Sequence, residues 1–207
     1  MKQSTLLILV AVGLLFVYGC SKYNTIIPAR NNVDTKWANV QTQYQRRFDL
    51  MDNLVRTVTS EATFEKGTLE GVINARASAT KMTVNAADLT PEKLKEFQAN
   101  QGQIASAMGR FISVAEQYPN LKSNQGFQDL RVAYEGTENR INVARTDYNN
   151  SVTVYNNMTE TFPTNIVAGF LGFKPKPLFQ GDVEAQKAPS NKSTLDDFNK
   201  NMSTPNK

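Results

Sequence analysis

Apolar residues at steps of three, four and seven run through most of this chain, and no stretch of any length alternates apolar with polar as a strand would. From residue 33 the stripe reads Val33, Trp37, Val40, Tyr44, then Met51, Leu54, Val58 and Ala62. It resumes at Leu69, Val72 or Ile73, and Met82. A second stripe is Leu94, Phe97, Ile104, Met108, Phe111, Ala115 and Tyr118, with Gln101 in its one polar slot. A third is Phe127, Leu130, Tyr134, Ile141, Ala144, Tyr148, Val152, Tyr155, Met158 or Thr159, and Phe162. Such spacing buries one seam of each helix. It predicts an all-α fold, an antiparallel up-and-down bundle of three to four long helices joined by short turns.

Local chemistry sets the expected boundaries. Asn31 or Asn32 can cap a helix starting near Val33. Gly67 and Gly71 each cost about 1 kcal/mol against alanine inside a helix, so a kink or break is expected near them. The first helix is then one rod of about fifty residues, roughly 75 Å, or two pieces. Thr90-Pro91-Glu92 starts the second helix with a hydroxyl cap, a proline in the first turn and an acid behind it. Pro119-Asn120 stops that helix, Ser123 or Asn124 caps the last long one, and Pro163 ends it. The expected organisation is a leader at 1–20, a juxtamembrane segment at 21–32, the bundle at 33–162, an apolar segment and extended cap at 163–184, and a disordered tail at 185–207. The apolar stretch 164–173 can cap an open end of the bundle, lie on a membrane surface or dock a partner; ten residues cannot span a bilayer.

The leader locates the chain. Lys2 precedes a thirteen-residue apolar run, 6–18, ending in Gly19-Cys20-Ser21. That is an export signal of the kind that ends in a lipid-bearing cysteine, and Cys20 is the only cysteine. Thirteen helical residues reach about 20 Å, short of the roughly 30 Å hydrocarbon core. Either the signal is cut and Cys20 carries the acyl chains, or the segment stays as a short uncut helix. Both place a lipoprotein-like or membrane-held protein in the cell envelope, its bundle outside the cytoplasm. A single cysteine also permits no internal disulfide, so packing supplies the stability.

Charge and composition exclude several functions. The net charge is +4, but residues 22–162 carry sixteen Lys/Arg against fifteen Asp/Glu, the balance of a solvated helical surface. No nucleic-acid partner is expected. With no histidine, the usual general base, di-iron Glu-x-x-His pairs and zinc–histidine sites are absent. No catalytic residue, metal site or cofactor is expected, and the chain is read as not an enzyme. Glu61 and Glu65 share a helix face as solvated acids; Tyr134, Tyr148 and Tyr155 sit at core spacing and read as packing.

Arg47 falls on the seam of the first helix between Tyr44 and Met51. Arg46, Arg47, Asp49 and Asn53 can meet Glu138, Arg140, Asp147 or Asn149 across an antiparallel pair, with Arg145 beside them. Such a polar interhelix cluster is either a network that sets helix register or a polar pocket or partner surface.

Several polar strings are distinctive. Tyr23-Asn24, Trp37 and Gln45-Arg46-Arg47-Phe48-Asp49-Leu50-Met51-Asp52-Asn53-Leu54-Val55 are followed by Leu69-Glu70 with Ala75-Arg76. Tyr118-Pro119-Asn120-Leu121-Lys122, Glu135-Gly136-Thr137-Glu138-Asn139-Arg140-Ile141, Ala144-Arg145 and Asp147-Tyr148-Asn149 come next. Phe162-Pro163-Thr164-Asn165 and Phe170-Leu171-Gly172-Phe173 close the series. In this order, over roughly residues 23–180, the chain resembles the LemA family. The resemblance implies a bacterial, membrane-anchored helical bundle and no established reaction. The family usually carries proline where this chain has Asp52, so no proline kink is expected there. The expected role is an extracytoplasmic helical scaffold with an envelope-protein partner; the alternative is a small-ligand or peptide sensor using the Arg/Glu/Asn cluster.

Overall fold

The computed structural model describes residues 3–59, 64–81 and 84–181. Its elements are α1 (Gln3–Thr59), α2 (Lys66–Thr80), a 3-10 turn (Ala86–Asp88), α3 (Pro91–Ala115), α4 (Pro119–Ser123), α5 (Gln125–Glu160) and α6 (Thr164–Phe170). Among the described residues there is no strand. Ala62, Met82 and the tail 185–207 lie outside the described residues, as does Glu61.

α1 and α5 form the main pair and α2 packs on α3. Contacts between α1 and α5 run in opposite senses. Tyr18 meets Thr164 just beyond α5, Lys36 meets Asp147 and Arg47 meets Glu138, so the two helices are antiparallel. The capping chemistry holds where it was expected. The Thr90 hydroxyl accepts from the Lys93 amide at 3.3 Å, and the Asn124 side chain accepts from the Phe127 amide at 3.0 Å.

One boundary differs from expectation. The helix does not begin at Asn31 or Asn32; α1 runs unbroken from Gln3 through Pro28 and the whole 21–32 segment. A proline within a helix costs about 3 kcal/mol. Ile26 and Val33 are both fully buried on the same seam as Trp37 and Val40, and this packing on either side of Pro28 offsets the lost hydrogen bond. The break expected near Gly67 and Gly71 is present just before them: α2 starts at Lys66, so Gly67 lies in its first turn and Gly71 in its middle, exposed with open space around it. Near Asp52 α1 is continuous, and the Asp52 carboxylate pairs with Arg76 of α2 at 2.6 Å.

The core comes in two halves. One, nearer the leader, gathers Ile26, Val33, Trp37, Val40 and Tyr44 of α1 with Leu94 and Phe97 of α3 and Ile141, Tyr148 and Tyr155 of α5. The other gathers Phe48, Met51, Leu54 and Val58 with Ile104, Met108 and Phe111, and with Phe127 and Tyr134. On each of the three helices a polar residue separates the halves: Arg47 on α1, Gln101 on α3, Thr137 on α5.

The apolar stretch after α5 divides its faces. Thr164, Ala168 and Phe173 are buried against the bundle, whereas Phe162, Ile166 and Phe170 are exposed. Gly172 adopts φ of 77°, a conformation only glycine takes without strain. There the Phe173 amide donates to the Ala168 carbonyl at 2.9 Å and the Gly172 amide to Gly169 at 3.2 Å, a Schellman end that turns the chain back.

Candidate functional site

The polar layer between the core halves is built from three helices. The Arg47 side chain is 2% exposed. Its guanidinium donates to Glu138 Oε1 at 3.1 Å, to the Gln101 carbonyl at 3.3 Å and to Gln101 Oε1. It also lies 5.0 Å from the centre of the Tyr44 ring. Glu138 remains about a third open to solvent, with a side-chain exposure of 33%. Burial, and after it the negative charge of Glu138, push the Tyr134 hydroxyl above its ordinary pKa, with Arg47 opposing. Both Arg47 Nη atoms are paired within the layer, whereas its Nε is buried without a hydrogen-bond partner.

The structure therefore keeps two members of the expected cluster together, Arg47 and Glu138, and adds Gln101. It disperses the others. Arg46, Asp49, Asn53 and Arg140 are exposed; Asp49 accepts from Gln45 one turn earlier at 3.0 Å. Asp147 pairs with Lys36 at 3.0 Å. The reason is angular. Neighbours of Arg47 in sequence point 100° away from it, and only one residue per turn faces the seam.

Arg145 and Asn149 belong to a second constellation. After Gly172 the chain runs back along α5 as an extended strap, 174–180, in which Pro175 and Pro177 hold φ and keep Lys174 and Lys176 extended. Asn149 grips Phe179 by both backbone groups, donating to its carbonyl at 3.0 Å and accepting from its amide at 2.9 Å. Asn156 grips Lys176 in the same way, at 2.9 Å and 2.9 Å. Tyr148 and Tyr155 donate to the carbonyls of Pro177 and Lys174, each at 3.0 Å. Seven helical residues advance about 10.5 Å and three extended ones about 9.3 Å, so a Tyr-Asn pair repeated every seven residues matches a strap read every three. Phe179 inserts between Trp37 and Tyr148, its ring centre 5.9 Å and 5.4 Å from theirs, with the Arg145 guanidinium 4.9 Å above it. Arg145 and Gln98 both donate to the Gln180 carbonyl.

Tyr148 and Tyr155 thus do more than pack, and Asn156 was missed. The signal was present: Tyr148-Asn149 and Tyr155-Asn156 recur seven apart, beside a Lys-Pro-Lys-Pro run whose backbone groups need partners outside a helix.

Several open grooves mark the described surface, a smaller one lying against Tyr44 and Gln101, and two bear on function. One, of about 760 Å³, is lined by Arg30, Asp34, Lys93, Tyr155, Lys174 and Lys176, among others. The other, of about 820 Å³, lies between the start of α1 and α6, with Cys20 exposed in its wall. Among the described residues no group of three His, Cys, Asp or Glu side chains could hold a metal ion, and no helix is long and apolar enough to cross a membrane.

The family model described as "LemA family" matches residues 36–192. The magnetosome protein MamQ 2 of Paramagnetospirillum magneticum is 28% identical, over 77% of this chain and 65% of its own length. MamQ of Magnetospirillum gryphiswaldense is 24% identical, over 74% and 62%. Protein LemA of Metamycoplasma hominis is 23% identical, over 84% and 76%. The chain spans somewhat less than two thirds of the length of the magnetosome relatives it matches.

Proposed function

The chain belongs to the LemA family, and on that footing we propose that it is a membrane-anchored helical scaffold of the bacterial envelope, holding its bundle outside the cytoplasm and working by contact with an envelope protein. The observation that carries this is the continuity of α1. One helix, Gln3–Thr59, holds both the apolar leader and the buried stripe of the core. At 1.5 Å per residue it is about 85 Å long, and about 60 Å from Cys20 onward, so an anchor on the uncut apolar run or on Cys20 alike fixes the bundle's distance from the membrane. Both polar networks tie together segments distant in the chain, which suits them to holding shape. Because the apolar run is short, acyl chains on Cys20 are the anchor we favour.

Two measurements test this. Palmitate labelling of the wild type, absent in Cys20→Ala, supports the lipid anchor, and an unlabelled wild type removes it. Site-specific photocrosslinking in whole cells from exposed positions such as Arg46 and Arg140 should trap the same envelope protein repeatedly; no recurrent partner counts against the scaffold.

A second function, a small-ligand or peptide sensor, draws support from the strap, which is itself an extended peptide held by side chains of α5. The Arg47 guanidinium is already taken up by Glu138 and Gln101, so the 760 Å³ groove beside the strap is the place for it. A thermal-shift screen with envelope metabolites and proline-containing peptides tests it, since a ligand specific to the native state raises the melting point.

A further inference from the structure

α6 has its faces reversed for a helix docked on a water-soluble bundle. Thr164 and Ala168 point inward, while Ile166 and Phe170, four residues apart in the helix and so on one side, are 65% and 94% exposed, and Phe162 just before the helix is 76% exposed. No charged residue interrupts it. We propose that this face is a second membrane contact, inserted into the lipid surface of the same bilayer that holds the leader. The inference rests on the membrane anchoring proposed above.

Position is what selects lipid as the occupant. Val12, Phe16 and Cys20 of α1 form one wall of the 820 Å³ apolar groove, and Ile166, Phe170 and Leu171 form the other. The walls are joined: the Tyr18 and Thr164 hydroxyls lie 3.3 Å apart, and the space a side chain would take at Gly19 lies 4.0 Å from Val167 Cγ1. Two walls of one groove stand at one depth. If the leader enters the bilayer as far as Phe16, Phe170 enters with it. If the chain is instead cut before Cys20, the wall of Val12 and Phe16 is lost, but acyl chains on Cys20 start beside Ile166, Phe170 and Leu171 and hold them at the same surface. The rim has the residues of a headgroup layer, with Lys22 5.4 Å above the Tyr18 ring, Tyr23 beside Phe173, and Lys174 exposed beyond the turn at Gly172.

The test uses the full, unprocessed chain made by cell-free synthesis onto vesicles of anionic lipid, with and without bromine on the acyl chains. The only native tryptophan, Trp37, is buried in the core and sets the baseline. Phe170→Trp probes α6, Leu14→Trp the leader and Val132→Trp an exposed site far along α5; all three positions are open, so each variant folds. Loss of emission in brominated vesicles at positions 14 and 170, with wild type and position 132 unchanged, is the expected result. Quenching at 14 alone overturns the inference and leaves the anchor standing. A blue-shifted, unquenched emission at 170 would show a second copy of the chain covering the face, which also overturns it. No quenching at either position overturns the inference and removes the uncut leader as the anchor, while palmitate labelling decides the Cys20 anchor separately. Equal quenching at 132 and 170 shows unspecific adsorption and overturns the inference alone.

Discussion

Arg47 of α1 and Glu138 of α5 meet at 3.1 Å in the plane that divides the two halves of the core, one side chain buried and the other partly open to water. A one-turn slip of either helix would press the guanidinium into apolar surroundings, so the pair resists sliding of α1 along α5.

Replacing Arg47 with methionine leaves Gln101 and Glu138 without their donor. Because Glu138 can still be hydrated, the expected loss is about 2–3 kcal/mol, below the upper range for breaking a fully buried pair. Adding Glu138→Gln should cost less than the sum of the single changes, with a coupling of about 0.5–3 kcal/mol. Urea denaturation of the four proteins in the cycle checks it; strict additivity would remove the pair's role in register.

Arg46→Ala and Arg140→Ala should each change stability by less than about 0.5 kcal/mol, since both side chains are exposed. Denaturation midpoints equal to wild type are the expected outcome. A large loss at either position would mean a contact with the Arg47 layer after all.

Asn156→Ala removes two hydrogen bonds to Lys176, each worth about 0.5–1.5 kcal/mol net. The Lys176 amide should then exchange with solvent much faster, while the Phe179 amide, held by Asn149, keeps its protection. Asn149→Ala should give the reverse pattern. Site-resolved hydrogen exchange reads both.

Gly172→Ala should destabilise by about 1–2 kcal/mol, because a left-handed residue with a side chain carries that cost even where there is open space around it. The loss should appear first as faster exchange at the Phe173 amide, which closes the end of α6.

Stability should be nearly flat between about pH 6 and pH 9, since the chain has no histidine. Above that, burial holds the Tyr134, Tyr148 and Tyr155 phenols protonated in the folded chain. The unfolded chain ionises first, so stability is full below about pH 10 and falls as the pH rises further. At the acid end, the backbone hydrogen bond at Glu92 and then the Thr90 side chain lower its pKa. Its contribution is present above the ordinary carboxylate value and is lost as the pH falls through the lowered one. Melting curves across pH 4–11 test the profile; a steep change near neutrality would require another titrating group.

How far each feature could be read in advance followed from its range along the chain. The buried stripes from Val33 to Val58, from Leu94 to Ala115 and from Phe127 to Tyr155 were legible because helical periodicity is a local property. The caps at Thr90 and Asn124 were legible for the same reason. Arg47 could be placed on the seam with Glu138 among four candidate partners 91 or more residues away, but Gln101 of α3, 54 residues away, was not among them. Arg46, Asp49 and Asn53 were grouped with Arg47, and Arg140 with Glu138, by nearness in sequence, which a helix turns into different directions.

By itself the sequence determined most of the helical elements, their inward faces, the short apolar run before Cys20, and the lack of histidine, because each depends on residue type and spacing alone. Only the tertiary structure decided that α1 passes through Pro28, that Gln101 completes the Arg47 layer, and that Asn149 and Asn156 clasp a returning strap. Those outcomes turn on burial and hydrogen bonds between segments distant in the chain, whose energies exist only once the segments are packed together.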